Sequence, residues 1–248
     1  MKNLKIISLV PSLTELLVTL GLEENIVGVT KFCVHPNNLK KDKVVVGGTK
    51  NIHLEKIKAL QPDIILCNKE ENTKEIVENC SLIATTHVSD ICTIADILAL
   101  IAYYGTLFSC EEKASNLTKA LQDKIKDFKH FIKDKPKLKV VYFIWKNPWM
   151  VAANHTFINH LLELTKLENC YKNENRYPEI SLDDLKTKKI DAVFLSSEPY
   201  PFKGKNTIDF KEVAINAKVI LVNGEYFSWY GSRLLKAFDY FKELREKL

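Results

Sequence analysis

Glycine and proline are scarce in this sequence, at eight each in 248 residues. That scarcity leaves no room for a flexible linker or a low-complexity segment. No apolar run approaches the roughly 18 residues that a membrane span needs. The six cysteines form no CxxC pair, and no HExxH occurs, so the common zinc spacings are excluded. There is no GxSxG elbow, and Gly47-Gly48-Thr49-Lys50 lacks the GxxxxGK spacing of a phosphate loop. With no nucleophile identified, the chain reads as a non-enzyme.

What is present describes an ordinary globular chain. Hydrophobic residues make up 46% and charged residues 27%, enough for a real core in one large domain or two small ones. The net charge of +5 is unevenly placed. Between Ser109 and Lys139, nine lysines face five acids, and that stretch supplies +4 of the total. Its periodicity is helical and its aromatics do not interleave with the lysines as a base-stacking groove would require, so it reads as a solvated helix face and not as a nucleic-acid groove. Several cysteines sit in apolar runs, as Cys67 does after Ile64-Ile65-Leu66, where a free thiol acts as a small hydrophobe. Unpaired thiols fit a reducing compartment. Met1-Lys2-Asn3 precedes a short apolar run that ends at Pro11-Ser12 without a cleavage signature. The expectation is a first β-strand, no export signal, and a soluble chain that could be cytoplasmic.

Strand and helix alternate over the first hundred residues, which predicts a parallel sheet covered by helices. Ile6–Val10 reads as a buried strand, and Ser12-Leu13-Thr14-Glu15 has capping-box spacing. Further strands are expected at Ile26–Thr30, Val44–Val46, Asp63–Cys67 and Leu82–Thr86, with helices at His53–Leu60, Asn72–Asn79 and Thr93–Tyr104. The longest helix signal follows. Leu117, Leu121, Ile125, Phe128 and Ile132 recur at helical steps between Glu111 and Lys133, and Pro136 stops the run. The α/β pattern then restarts, with strands at Val140–Ile144, Ala192–Leu195 and Val219–Val222, helices at Thr156–Thr165 and Ser181–Lys186, and a closing helix from Ser232 to Lys247.

The two halves echo each other. At a constant offset of 128, Leu54-Glu55 matches Leu182-Asp183, Ile57 matches Leu185, Asp63 matches Asp191, and Glu70 matches Glu198. Helix-turn-strand units resemble one another generally; the sharper reading is two similar lobes. The expected organisation is an N-terminal α/β lobe over 1–108, a connecting helix over 109–136 and a C-terminal α/β lobe over 137–248, with a ligand cleft between Rossmann-like lobes. In open α/β sheets ligands sit at the carboxyl ends of strands. The loops expected there hold Ser12, Glu15, Lys31, Phe32, His35, Thr49, Lys50, Asn51, Glu70 and Glu71 in the first half. In the second half they hold Trp145, Trp149, Arg176, Tyr177, Glu198, Tyr200, Trp229, Tyr230 and Arg233. All three tryptophans fall in loops of the second half, as a flat apolar ligand surface or a packed hinge would require.

Six segments carry a family resemblance: SLVPSLTELL at 8–17, VGGTKN at 46–51, LQPDIIL at 60–66, NKEEN at 68–72, SSEPYPF at 196–202 and WYGSR at 229–233. Together they resemble the helical-backbone metal receptors among the class III substrate-binding proteins of ABC transporters, in their cobalamin-binding-like branch. The resemblance implies a monomeric binder of a metal chelate or corrinoid, of the cobalamin, haem or ferric-siderophore kind, that serves import from the periplasm or cell surface without a covalent cofactor. It further implies that acidic lobe tips dock on a membrane permease, here Glu70, Glu71 and Glu198. Those carboxylates could instead pair with Lys69 or Arg233.

Three other readings stay open. Cys33 and His35 share a loop and could hold a soft or borderline metal ion with Glu15, or His35 could be an axial ligand to a bound metal. The same scaffold could also be a cytoplasmic chelatase-like enzyme that uses His35 and Glu70-Glu71, or a protein-interaction module.

Overall fold

The computed structural model describes residues 4–210, 212–214 and 216–248. The chain folds as two compact units. The first runs through Leu121 and also takes in Tyr230–Arg233; the second comprises Gln122–Trp229 and Leu234–Leu248.

The first unit is a five-stranded, wholly parallel sheet. Its strands are β1 (Ile6–Ser8), β2 (Ile26–Val29), β3 (Val44–Val45), β4 (Ile64–Asn68) and β5 (Thr85–Ser89), in the order β3-β2-β1-β4-β5. Helices α1 (Pro11–Thr19), α2 (Leu39–Asp42), α3 (Leu54–Leu60), α4 (Lys74–Ser81) and α5 (Ile94–Leu107) complete it. The central strands β1 and β4 are buried along their whole lengths, as near-continuous apolar runs require in a parallel sheet. Thr73 and Thr93 cap α4 and α5, and Thr93 with Asp96 forms a full capping box. A cap of this kind contributes about 1 kcal/mol.

The capping box expected at Ser12–Glu15 does not form. α1 begins two residues earlier, with Pro11 at its first position and Val10 as an uncapped N-cap. Proline has the right φ and no N–H to orphan there, so the side chains of Ser12 and Glu15 are released for long-range contacts. The strand expected at Leu82–Thr86 lies three residues later. The amides of Ile83 and Ala84 both bond to the Cys80 carbonyl, so this stretch finishes the turn after α4.

α6 (Glu111–Ile132) is one unbroken helix of 22 residues, roughly 33 Å long, that begins in the first unit and ends in the second. In the first unit Ala114 and Leu117 are buried, and a Cβ on Gly105 of α5 would stand 2.7 Å from Ala114 Cβ. That glycine is what lets the two helices approach. In the second unit Phe128 packs on two rings of α9 (Leu234–Lys247), with centroids 5.3 Å from Phe238 and 6.3 Å from Phe241. Lys124–Asp239 and Lys242–Asp127 ion pairs flank this contact at 2.6 and 2.5 Å.

The second unit holds β6 (Leu138–Trp145), β7 (Met150–Val151), β8 (Leu167–Asn169), β9 (Ala192–Ser196) and β10 (Lys218–Val222), together with α7 (Phe157–Leu164) and α8 (Gly224–Ser228). The path is β10-β9-β6-β7, with β8 also on β6; β7 is antiparallel to β6, and the remaining pairs are parallel. Short β7, β8, α2 and α8 escaped the periodicity reading because two to five residues carry too little pattern.

The sequence echo is a structural one. Asp63 accepts the Lys5 amide at 2.8 Å and donates its own amide to the Lys5 carbonyl at 2.9 Å. Asp191 does the same with Lys139, at 2.7 and 2.8 Å. Each aspartate locks the start of one strand to its central neighbour, β4 to β1 and β9 to β6. Ile57 and Leu185, also one offset apart, are both buried.

Candidate functional site

At the carboxyl ends of β4 and β9 the echo continues. Asn68 Oδ1 accepts the Glu70 amide at 2.8 Å, and Ser196 Oγ accepts the Glu198 amide at 3.4 Å. In both units, therefore, the last residue of the strand folds the chain into a tight turn that carries a glutamate two positions on. Around Glu70 the turn is further fixed. Lys50 Nζ donates to the Glu70 carbonyl at 2.6 Å, and the Asn72 amide group donates to the carbonyl of Thr49 at 3.0 Å. Glu71 hydrogen-bonds the Thr49 side chain, and burial raises its carboxyl above the usual range. Around Glu198, Ser228 Oγ donates to Oε1 at 2.6 Å. A Cβ at Gly224 would stand 2.5 Å from Glu198 Cγ, so only glycine fits there.

Lys69 pairs with Asp90 at 2.5 Å, and Arg233 pairs with Glu15 at 2.8 and 3.0 Å.

In the first unit several site candidates gather at the strand ends. The Tyr230 hydroxyl lies 3.2 Å from Ser89 Oγ and also bonds the Ser12 hydroxyl, and burial raises its pKa. Lys31 and exposed Phe32 belong to the loop after β2; the Lys31 ammonium sits 5.0 Å from the Phe32 ring centre, and a Cβ on Gly48 would touch that ring at 3.2 Å. Gly47, at φ +127, opens the loop that carries Thr49, Lys50 and Asn51; the Gly48 amide closes it on the Asn51 carbonyl at 2.6 Å. His35 is half-buried and precedes a cis proline.

Cys33 is buried, with its sulfur 3.1 Å from Thr14 Oγ1 and 3.3 Å from Thr30 Oγ1, and burial pushes its thiol pKa up. Among the described residues no group of three or more His, Cys, Asp or Glu is placed to hold a metal ion.

In the second unit the three tryptophans have different surroundings. Trp145 ends β6 and is 38% exposed, with its ring 5.7 Å from Tyr200. Trp149 belongs to a packed aromatic cluster, with centroids 5.6 Å from Phe143, 5.5 Å from Phe210 and 6.3 Å from Phe202. Trp229 is buried and caps α8. Arg176 and Tyr177 are half-buried; Arg176 has φ +56, and its amide and carbonyl bridge to Asn154 and Ala153. Lys146, absent from the sequence candidates, pairs with Asp209 at 2.6 Å and sits 5.0 Å from the Trp149 ring centre. Ser89 was missed as well, while Asn72 and Ser228 fall in loops that the sequence marks as polar without singling them out. The spacing of Asn68 and Asn72 was a readable signal for one of them; Ser89 and Ser228 have none in the sequence.

Similar proteins share this architecture. The vitamin B12-binding protein of Pectobacterium atrosepticum is 27% identical over 240 residues, which cover 94% of this chain and 85% of that protein. Among solved structures, the periplasmic heme-binding protein RhuT of Roseiflexus sp. RS-1 superposes with a TM-score of 0.85 at 14% identity, covering 98% of each chain. The periplasmic vitamin B12 binding protein BtuF of Vibrio cholerae gives 0.83 at 19% identity, again over 98% of each. At such identities the structural likeness establishes the fold: two α/β lobes linked by one long helix. The sequence model of the periplasmic binding proteins matches residues 6–215, and the chain belongs to that family.

Proposed function

We propose that this chain is the substrate-binding component of an ABC-type importer, working in the periplasm or at the cell surface, and that its cargo is a metal chelate or corrinoid of the cobalamin, haem or ferric-siderophore class. The observation that carries the reading is the pair of equivalent glutamate turns after β4 and β9, one in each unit, built from the same strand-end hydrogen bond. Relatives named for vitamin B12 and heme supply the cargo class.

The loops at the carboxyl ends of the strands would meet the cargo. Exposed Phe32 and Trp145 and half-buried Tyr200 offer flat apolar contact, with Lys31, Lys50, Asn51, Arg176 and Tyr177 as polar partners and His35 as a candidate donor to a bound metal. Ser12, Glu15, Thr49, Tyr230 and Arg233 hold those loops in position through the hydrogen bonds already described. Trp149 and Trp229, packed into the second unit, would shape its surface from beneath. Glu70, Glu71 and Glu198 would offer negative charge to arginines of the permease.

The test is a panel of cobalamin, haemin and a ferric hydroxamate read by tryptophan fluorescence and melting temperature. Binding at micromolar affinity or tighter, on the order of 8 kcal/mol, is expected for one class. A panel that leaves both signals unchanged would sink the cargo assignment. Glu70→Lys combined with Glu198→Lys is expected to abolish uptake with cargo binding retained; unimpaired uptake would exclude the docking role.

A further inference from the structure

In the second unit the strands begin among lysines that come from separate stretches of chain. Lys137 and Lys139 flank the first residue of β6, Lys166 precedes β8, Lys172 follows it, and Lys188-Lys189 stands just before β9. Parallel pairing of β8 and β9 on β6 brings these strand starts together, with Lys139 beside Glu168. Two adjoining clefts open there. One, of about 220 Å³, is lined by Lys139, Lys172, Lys188 and Lys189; the other, of about 250 Å³, by Lys137, Lys166 and Lys172. They share Glu168, Asn169 and Lys172.

Six lysines therefore face two acids, Glu163 and Glu168, and both acids are already engaged. Glu168 pairs with Lys172 at 2.7 Å, and Glu163 accepts a hydrogen bond from Asn159 at 3.0 Å. Lys166 donates to the carbonyls of Lys133 and Lys135. Lys137, Lys139, Lys188 and Lys189 make no ion pair among the described residues. Like charges gathered in a concave surface repel one another and focus their field into it, so an anion that enters relieves the repulsion. Lysine is a compact, strongly hydrated charge that meets phosphate oxygens from several directions without the planar fork of arginine. Among the described residues no aromatic side chain lines either cleft, so a nucleobase would find nothing to stack on. Two clefts that share a wall suit an anion whose charged groups repeat along a flexible chain.

We infer that the amino ends of β6, β8 and β9 form a docking groove for a flexible chain of linked phosphates, of the inorganic polyphosphate kind, with Lys137, Lys139, Lys188 and Lys189 as its main contacts. Trp145 and the Glu198 turn lie at the carboxyl ends of β6 and β9, so the groove occupies the opposite edge of the same sheet. It needs neither the cargo nor the permease of the function proposed above.

The experiment measures binding of end-labelled inorganic polyphosphate to the full-length protein by fluorescence anisotropy. Engagement of the four unpaired lysines should make affinity fall on the order of 50-fold between about 50 and about 200 mM salt. Lys139→Glu/Lys189→Glu is expected to weaken binding at least about ten-fold, whereas Lys119→Glu/Lys126→Glu, an equal change of charge on exposed positions of α6, should leave most of it. Should the first variant fail to fold, judged by its melting temperature, Lys139→Gln/Lys189→Gln carries the same expectation. Alkylation of Cys170, which lines the smaller cleft, should slow when polyphosphate is bound, while that of Cys110 in the first unit stays the same. Equal losses in the groove and α6 variants would assign binding to net charge and overturn the inference. So would unchanged alkylation of Cys170, no binding at low salt, or tighter binding to phosphatidylglycerol vesicles or a single-stranded oligonucleotide than to polyphosphate.

Discussion

Arg233 and Glu15, 218 residues apart in sequence, meet as a two-point ion pair with Nε–Oε2 and Nη2–Oε1 distances of 2.8 and 3.0 Å. Their side chains are 6% and 16% exposed. Tyr230–Arg233 is a short stretch that folds with the first unit although the chain on either side belongs to the second. The pair fastens this stretch to α1, and Tyr230 fastens it to Ser89 at the end of β5. Gly231 makes the approach possible: it sits at φ +91, against the side chain of Leu16.

Removing one partner of a buried, bidentate pair takes two charge-assisted hydrogen bonds from the other. Glu15→Gln and Arg233→Met are each expected to cost about 3–5 kcal/mol, read as a drop in the denaturation midpoint. The double variant Glu15→Met/Arg233→Met should lose less than the sum of the two single changes, because the pair is then removed once and not twice. Strict additivity of the two losses would show that the pair is not coupled.

The tryptophans should separate by role. Trp145→Ala removes an exposed ring and is expected to weaken cargo binding by about ten-fold or more while the melting temperature holds. Trp149→Ala opens a cavity among Phe143, Phe202 and Phe210 and should cost about 3–5 kcal/mol of stability. Equal loss of stability in both variants would contradict the assignment.

Glu71 is a carboxyl whose pKa burial has raised. Its contribution to stability is complete below the unfolded value near 4.3 and declines as pH rises through the folded value, where the buried group must ionise. Glu71→Gln keeps a hydrogen-bonding partner for Thr49 and cannot ionise. The variant is therefore expected to be more stable than the parent at neutral pH and to lose that advantage near pH ~4. Thermal melts across this range would measure it, and an advantage that does not change with pH would count against the burial argument.

His87 provides the opposite sign. Desolvation lowers its pKa, while Nδ1 lies 3.1 Å from the Tyr104 hydroxyl and the Tyr103 ring is 5.0 Å away. The imidazole is held neutral, so its contribution is complete above the unfolded value near 6.5 and is lost as pH falls through the folded value. His87→Phe should flatten the decline in stability between about pH 7 and about pH 5. A decline as steep as the parent's would assign it to other groups.

How much of this was legible beforehand depends on how local each signal is. α6 was readable because Leu117, Leu121, Phe128 and Ile132 line one face through i, i+3 and i, i+4 spacing, which the helix itself imposes. The repeat at offset 128 was readable because a strand-locking aspartate, a buried aliphatic residue and an acidic turn recur in the same local order. Cys67 was legible as buried because a continuous apolar run must lie inside a parallel sheet. The candidate loops were legible as loops, though not as contacts.

The sequence by itself determined the alternation of strand and helix, the long connecting helix and the matched glutamates, because each follows from periodicity or spacing within a few turns of chain. Only the tertiary structure decided that Glu15 belongs to Arg233 and not to a helix cap, that Trp149 is core while Trp145 is surface, and that Cys33 faces two threonines. Those outcomes depend on which distant side chain arrives to bury or pair a group, and spacing along the chain carries no record of that arrival.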